Sequence, residues 1–557
     1  MTALDPITLE IILNALRSVT DETYAALMKS AYSTNIKERH DHSTAIMDLR
    51  GRLVVQAVES LPIHIASMNG LMECVLEKFG DDICQGDIFV ANDPHSAGGT
   101  HLPDINLATP VYLEGELQGF VCNIAHHADV GGMVPGSMAG GMSEIYQEGL
   151  RIPVIRLFRK GELQKDILDL LLLNVRVPIE RRGDYFAQIS ACRLGERRLL
   201  EVIETYGSQT IQRAFDEIIQ RTGRRMGDSI ESIPDGVYQF KDLMDSDGLG
   251  AFDLPIFLKI TISKRQAIFD FTGTTKQVNG NINVTLNATQ AAVCYSLKAL
   301  LDPEVPNNQG VLDSVEIIAP KGTLVNSVFP APVAARANTC QRIIDVVLGA
   351  LAEAFPEKTI AAANGANTTA VFSGTDPRTG QPYLYLETLG GGMGARAMKD
   401  GKDGVQVHIT NTSNLPIEAI EMEYPLLVEE YSLVADSAGA GQYRGGMGLR
   451  RMIRPRAHEC IFNGAGERFR HRPWGLFGGE SGASGRFLLQ DGQGENHRVD
   501  DKPNHVQVSP ENVIVIETPG AGGYGLPKNR DRELLEKDQR SGKFSKSYLK
   551  KYYDFSD

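Results

Sequence analysis

Histidine and aspartate side chains concentrate in two short segments that glycine pairs border. In the first segment His101 and Asp104 flank a Leu-Pro pair, and the second contains His126 and His127. Proline stiffens the first loop and removes a helical option, so its imidazole and carboxylate are free to converge. Two imidazoles and a carboxylate with open coordination positions suit a hydrolytic or Lewis-acid metal such as Mn, Zn, Fe or Mg.

Strand geometry limits which of the adjacent residues His126 and His127 can bind the metal ion. Residues 118–126 read as a strand, and alternation along a strand points His126 and His127 to opposite faces. At most one of the two can therefore bind the same ion as His101. Asp41 is a candidate fourth ligand, and the alternative is that it is an exposed residue of a charged turn.

The alternative for the whole cluster is a set of hydrogen-bonded loop residues, because H-x-x-D with a distant histidine is not a specific spacing. Arg336 and Arg342 could bind an anion, or could make surface or partner contacts. The pattern G-x-G-x-x-G occurs at 520–525, but Leu-Pro follows it and no βαβ unit surrounds it. We interpret that pattern as a structural turn.

The predicted secondary structure that positions these residues changes from helices and strands in the N-terminal part to mainly strands in the C-terminal part. Helical spacing over 6–33 and 165–232, with strands between them, predicts a mixed α/β N-terminal metal-binding part. Short strands separated by glycine turns predict a β-rich C-terminal part, and the fold class is expected to be multidomain α+β. The predicted domains are the metal-site domain at 1–233, an α/β middle domain at 234–365, and a β-rich domain with a helical tail at 366–557.

Length and composition limit the class of protein. The chain has 557 residues, room for several domains, and a net charge of −14, which argues against a nucleic-acid surface. Its seven cysteines are scattered without a C-x-x-C pair, which favours reduced thiols in a cytoplasm. The sequence shows no signal peptide, and no apolar run approaches the roughly 18 residues of a membrane helix. We expect a cytoplasmic protein that binds neither nucleic acid nor membrane.

Longer motifs carry a family resemblance over nearly the whole chain. They include Asn35-Ile36-Lys37-Glu38-Arg39, Asn92-Asp93-Pro94, Ala125-His126-His127-Ala128-Asp129, Arg181-Arg182-Gly183-Asp184, Gly390-Gly391-Gly392, and Pro519-Gly520 with Gly522-Gly523-Tyr524-Gly525. On these motifs the chain resembles the B-type subunit of the hydantoinase/oxoprolinase family. That family includes N-methylhydantoinase, 5-oxoprolinase, caprolactamase and the related acetone and acetophenone carboxylases. The motifs are specific for the family and poorly specific for the substrate.

The resemblance implies both a metal centre and a partner. The B-type subunit of the family carries a divalent metal, for which Mn, Zn or Fe is expected here. A separate A-type subunit with an actin-like kinase fold carries the ATP and Mg site, and the two form a hetero-oligomer such as A2B2. The chain itself contains no G-x-x-x-x-G-K-[ST] phosphate loop, which agrees with an ATP site on a different chain.

The ligands of the family carry over residue by residue. They correspond to His101, Asp104 and His126, and Asp41 completes the set in the amidohydrolase branch. The choice of His126 over its neighbour comes from this resemblance. His42 departs from the family, in which an aromatic residue is common after Asp41, and it could tune the ligand or a substrate pocket.

The function that the resemblance implies is ATP-dependent opening of a cyclic amide such as a hydantoin, 5-oxoproline or a lactam. His127 and Asp129 are the expected catalytic groups, which orient a ligand or transfer a proton. One alternative is a subunit of an ATP-dependent ketone carboxylase, although the chain is shorter than expected for that branch. The other alternative is a non-catalytic scaffold for the A-type subunit.

Overall fold

A computed structural model of the chain describes residues 4–555. Its strands form four sheets, and helices pack against them, which gives the α+β fold that the sequence predicts. Among residues 4–555, no helix is both long enough and apolar enough to cross a membrane.

The first sheet contains seven antiparallel strands in the order β2-β1-β5-β4-β3-β6-β7. Its strands are β1 (His42–Met47), β2 (Leu53–Gln56), β3 (Ile88–Ala91), β4 (Asp104–Leu113), β5 (Glu116–His126), β6 (Ile155–Arg159) and β7 (Glu162–Leu163). The helices of this part are α1 (Pro6–Ser30), α2 (Thr34–Lys37), α3 (Ile65–Phe79), α4 (Lys165–Leu173), α5 (Pro178–Tyr206) and α6 (Ser208–Glu231), with 3-10 turns at Pro62–His64, Gly80–Asp82 and Ile145–Gln147.

Helix α1 shows how the sequence builds this part. Asp5 caps the helix by accepting a 3.0 Å hydrogen bond from the Thr8 amide, and Pro6 begins it, where a missing N–H costs nothing. Ile12, Leu16 and other apolar residues at helical spacing are buried against the outer face of the sheet. The strands β1 and β5 are consequently covered on that face.

The middle part is a four-stranded sheet with buried helices. The strands are β8 (Gly236–Ser246), β9 (Phe252–Ser263), β10 (Gln266–Asp270) and β11 (Glu316–Ile318), in the order β11-β10-β9-β8. The helices are α7 (Leu286–Leu301), α8 (Gln309–Leu312) and α9 (Arg336–Ala350). Helix α9 is buried at every residue except Gly349, so it is the internal support between the first sheet and the rest of the chain.

The C-terminal part contains two further sheets, in the orders β13-β12-β16-β19 and β14-β15-β20-β17-β18. The strands are β12 (Thr368–Thr375), β13 (Pro382–Leu389), β14 (Leu426–Leu433), β15 (Leu449–Pro455), β16 (Cys460–Ala465), β17 (Arg486–Gln490), β18 (Asn496–Val499), β19 (Val506–Val508) and β20 (Val513–Glu517). The helices are α10 (Ile417–Glu423), α11 (Arg532–Arg540) and α12 (Lys546–Tyr553), with a 3-10 turn at Pro527–Asn529.

The glycine pattern at 520–525 is a structural turn, as the sequence predicts. A Cβ at Gly520 would lie 1.9 Å from the Ser437 carbonyl oxygen, so only glycine permits this approach. The charged tail beyond it docks on the body of the chain. The hydroxyl of Tyr553 accepts a 3.1 Å hydrogen bond from the Gly441 amide, and Asp538 pairs with Arg444 at 3.2 Å.

Buried charges join α9 to the C-terminal sheets. Arg468 contacts Asp345 of α9 at 2.6 Å and Asp242 of β8 at 2.8 Å. Glu467 beside it accepts the Asp245 amide at 2.9 Å and lies 3.5 Å from the buried ammonium of Lys502. Burial, with the nearby Asp245 charge, raises the pKa of Glu467 to about 7.

This pKa predicts a pH dependence of stability. The native state holds the Glu467 proton up to about pH 7, whereas an unfolded glutamate releases it near pH 4.3. Stability therefore falls as pH rises through that window, by up to about 3 kcal/mol from this group. The Glu467→Gln variant keeps the acceptor for the Asp245 amide and should lose this part of the slope. Urea unfolding of both proteins at pH 5 and pH 7.5 measures it, and equal slopes would contradict the assignment.

Candidate metal centre

The register of β4 and β5 brings two of the predicted ligands together. Asp104 is the first residue of β4 and pairs directly with His126, the last residue of β5. His101 lies one turn before β4, where its carbonyl accepts the Asp104 amide at 3.3 Å. One side-chain donor atom each from His101, Asp104 and His126 lies within 4.8 Å of the other two, and all three residues are buried.

Two of these donor atoms, His101 Nε2 and Asp104 Oδ1, face each other in the buried centre. Nδ1 of His101 donates to the Ala334 carbonyl at 3.0 Å, which leaves the lone pair on Nε2. That Nε2 lies 3.1 Å from Asp104 Oδ1, and neither atom forms a hydrogen bond with any residue that the structure describes. Two buried acceptors in contact require a positive species between them. A divalent cation fits this requirement.

His126 is oriented from behind by α2. Asn35 Nδ2 lies 2.7 Å from His126 Nδ1 and also donates to the His126 carbonyl at 3.2 Å. Arg39 donates to Asn35 Oδ1, which fixes the side-chain amide of Asn35. Coordination through Nε2 requires the hydrogen on Nδ1, and therefore an Asn35 amide turned to present its oxygen. Turning that amide gives up the hydrogen bond from Arg39 and the one to the His126 carbonyl. His126 therefore joins the donor set through Nε2 only when Asn35 and Arg39 rearrange.

Arg336 balances the charge of the centre. Its guanidinium, at the start of α9, contacts Asp104 Oδ2 at 2.5 Å and the Thr100 hydroxyl at 2.9 Å. Burial alone would raise the pKa of Asp104, but the Arg336 guanidinium helps to hold it well below its usual range. Asp104 is therefore ionised, and one of its oxygens is already occupied by the arginine.

The surrounding imidazoles are neutral. Burial, followed by the Arg336 charge, lowers the pKa of His101, and burial lowers the pKa of His126 well below its usual value. His64 also faces the centre, with Nε2 3.7 Å from Asp104 Oδ2, and burial lowers its pKa to about 4. Neutral imidazoles keep lone pairs for a metal, so the set is two nitrogens and one carboxylate oxygen, which zinc, manganese and iron accept.

Asp41 faces the same space but lies outside the group of three. The space is a cavity of about 30 Å³ with Asp41, His64, Arg39 and Met138 among its walls. Burial raises the pKa of Asp41 to about 6, against the effect of Arg39, whose guanidinium is 3.8 Å away. Since a cavity of this volume holds about one or two waters, the centre is nearly dry in this conformation.

The structure does not bring His127 and Asp129 to this cavity. His127 points to the opposite face, where its Nε2 donates to Gln188 Oε1 at 3.0 Å and its ring packs on Tyr185. Asp129 accepts from the amide and guanidinium of Arg176 at 2.9 and 2.7 Å. Both side chains therefore hold the sheet and the following loop in place.

His42 and Arg342, which the sequence also suggested as site residues, make contacts in the packed interior instead. His42 is buried against Tyr24, with ring centroids 3.9 Å apart, and its Nε2 contacts the Tyr24 carbonyl. Arg342 donates to the Leu243 carbonyl and lies 3.3 Å from Asp242. Neither lines the cavity, so Arg336 is the one of the two arginines that reaches the centre.

Sequence reasoning missed His64 and Glu148. His64 was hidden because it lies between two isoleucines at the start of an apolar helix, where a histidine is usually core. Glu148 is fully buried, accepts the Ala334 amide at 2.7 Å and leaves its second oxygen without a hydrogen bond in the described chain. Because Ala334 in turn fixes His101, Glu148 positions that ligand through the backbone.

Comparison with known proteins finds relatives over nearly the whole chain. Residues 5–527 match the family described as Hydantoinase B/oxoprolinase. The chain is 33% identical over 559 residues to the B-type subunit of a candidate D-/L-hydantoinase from Pseudomonas sp. strain NS671, covering 98% of this chain and 94% of that protein. It is 34% identical over 550 residues to 5-oxoprolinase 1 of Arabidopsis thaliana, covering 94% of this chain and 42% of that protein.

A solved structure shares the fold. The crystal structure of the ATP-dependent caprolactamase from Pseudomonas jessenii superposes with a TM-score of 0.93 at 30% identity, covering 99% of this chain and 96% of that one. The fold predicted from the sequence and the similarity to B-type subunits are therefore confirmed.

Adjacent histidines provide a matched test of the centre. His126→Ala should lose most of its bound metal after the purified chain is loaded with Mn²⁺ or Zn²⁺, because one nitrogen donor is removed. His127→Ala should keep it, because that ring faces helix α5. Metal content by plasma mass spectrometry measures both, with circular dichroism to verify folding. Metal loss in the His127 variant alone would contradict the assignment.

Variants of Glu148 test whether this residue positions the metal ligand His101. Burial raises the pKa of Glu148 well above the usual value, which favours the neutral carboxyl, and Glu148→Gln is a close substitute in shape. Glu148→Leu removes the acceptor for the Ala334 amide and should weaken metal affinity about 10- to 100-fold. Metal titration of the two variants measures this difference. Wild-type affinity in the leucine variant would show that His101 does not depend on Glu148.

Proposed function

Because the chain belongs to the hydantoinase B/oxoprolinase family, we propose that it is the metal-bearing B-type subunit of an ATP-dependent cyclic amide hydrolase. The substrate class is a hydantoin, 5-oxoproline or lactam ring. The observation that carries this proposal is the buried contact between His101 Nε2 and Asp104 Oδ1, 3.1 Å apart, made while His101 Nδ1 faces the Ala334 carbonyl. That contact suits a divalent cation, and the related proteins are named for cyclic amide hydrolysis.

The proposed ligands are His101, Asp104 and His126, with a carboxylate oxygen of Asp41, from the wall of the same cavity, as the fourth donor. When bound, a divalent cation would supply Lewis acidity for a carbonyl oxygen and for water. Arg336 holds one oxygen of Asp104 and leaves the other free for the centre. This arrangement keeps the carboxylate ionised in a buried site.

In this proposal the residues of the chain exclude water from the metal centre and orient the polar groups around it. Met138 and Leu386 belong to the cavity wall, and exclusion of water strengthens the electrostatic interactions of a polar group with a bound amide. His64 presents a neutral imidazole to the same space, with Ser43 bonded to its other nitrogen at 2.8 Å, which fixes the orientation of the ring. His127 and Asp129 act behind the centre, by holding β5 and the loop after it.

ATP is proposed to bind on a separate A-type subunit with an actin-like kinase fold, in a hetero-oligomer such as A2B2. Two findings support a partner. The hydantoinase relative is named as a B-type subunit and matches this chain over nearly its whole length. In the 5-oxoprolinase relative the chain spans 42% of the protein, so more than half of that longer protein lies outside the matched region.

The proposal predicts coupled turnover. The chain, purified with its A-type partner, should hydrolyse about one ATP for each hydantoin, 5-oxoproline or caprolactam ring opened. Asp104→Asn should abolish ring opening, because Asp104 contributes the one charged donor of the group of three. Asp166→Asn, an exposed position on α4, is the matched control and should be as active as wild type. Chromatographic product analysis with a phosphate-release assay measures both reactions.

Two outcomes would overturn the proposal. Incorporation of labelled bicarbonate into a ketone, without ring opening of any of the three substrates, would make the chain part of a carboxylase. Ring opening at the wild-type rate by folded Asp104→Asn and His101→Ala variants would make it a scaffold for chemistry that occurs elsewhere.

A further inference from the structure

A second cavity, separate from the metal centre, lies between α7 and the turn that begins α3. Its volume is about 190 Å³, and its walls are mostly apolar. Pro62 and Ile65 form one side, and Tyr295, Lys298 and Ala299 of α7 form the other. Small-molecule sites are typically concave and apolar with a few convergent polar groups. This cavity has that composition.

Lys298 is a half-buried cation without an ionic partner. Its ammonium donates to Asn307 Oδ1 at 2.9 Å, and no carboxylate of residues 4–555 lies within 4.0 Å of it. The nearby Asp302 is bound instead by Arg225, at 2.6 Å. Burial lowers the pKa of Lys298, and the more distant charges of Glu304 and Asp302 offset only part of this effect. An anion in the cavity would supply further compensation.

Tyr295 adds a hydroxyl group to the same wall. Its hydroxyl forms no hydrogen bond with any residue in the described part of the chain, and its ring edge contacts His408 with centroids 6.2 Å apart. Tyr295 and Lys298 are three residues apart on α7, so they lie on one face of the helix. The wall therefore offers a cation and a hydroxyl, the pair that a carboxylate accepts from.

We propose that this cavity binds a small aliphatic monocarboxylate, with its carboxylate at Lys298 and Tyr295 and its hydrocarbon part against Pro62 and Ile65. The volume is below the roughly 300 Å³ at which pockets for drug-sized ligands begin, which limits the ligand to a short chain. A phosphate dianion fits poorly, because an apolar wall and one lysine cannot replace its hydration.

The proposed carboxylate site is distinct from the metal centre. The residues between Pro62 and Ile65 are Ile63 and His64, which line the metal cavity instead. The 62–65 turn thus has one cavity on each side, and neither set of walls includes a residue of the other. The carboxylate site does not depend on the proposed hydrolase function, and its test uses the metal-free chain.

Calorimetric titration of the metal-free, full-length chain with sodium hexanoate tests the site. We expect saturable binding of one hexanoate per chain. Lys298→Met, which keeps most of the length of the side chain and removes its charge, should weaken binding about tenfold or more. Ala299→Phe, at an exposed helical position on the rim, should block binding. Lys321→Met is the matched control at an exposed lysine elsewhere and should bind as wild type does.

Three further titrations separate the alternatives. 1-Hexanol should bind more weakly than hexanoate to the wild type, and Lys298→Met should not change its binding. Inorganic phosphate should not compete with hexanoate. The His101→Ala variant should bind hexanoate normally, and loss of binding there would place the carboxylate in the metal cavity and overturn the proposal. Equal hexanoate binding by wild type and Lys298→Met, or no saturable binding at all, would also overturn it.

Discussion

Asp104 and His126 are direct partners in the antiparallel pairing of β4 and β5, and the candidate centre depends on that register. A slip of either strand by one residue would place the two side chains on opposite faces of the sheet. Pairing also brings an ionised carboxylate into a buried position, which is costly unless it is compensated. The positive charge of Arg336 stabilises one oxygen of Asp104, and the other oxygen, which faces His101, still needs a positively charged neighbour. The need for a cation beside Asp104 therefore follows from the way in which β4 and β5 pair.

Helix α9 transmits this constraint to the rest of the chain. Arg336 begins the helix at the centre, and Asp345, further along it, binds Arg468 beside the C-terminal sheets. A buried helix with charges at both ends couples the geometry of the centre to the packing of the C-terminal part. Glu148 adds a second support, because it holds the Ala334 backbone that orients His101. The centre is therefore fixed from two directions by buried polar contacts.

Sequence periodicity predicted the elements well, because α1, β4 and β5 have clear apolar patterns and α1 has a capped start. Strand alternation limited the choice to one histidine at 126–127, and the family resemblance made that choice. The contacts of Arg336, His64 and Glu148 could not be predicted, because they join residues more than 35 positions apart. Nothing local in the sequence records such pairing.

Anomalous X-ray diffraction from crystals of the chain grown with Mn²⁺ or Zn²⁺ tests the central claim most directly. We expect one strong anomalous peak between His101 Nε2, Asp104 Oδ1 and His126, with Arg336 still bound to the other oxygen of Asp104. An ordered chain with no peak at that position, or with the metal bound elsewhere and a hydrogen-bonded proton between His101 and Asp104, would contradict it.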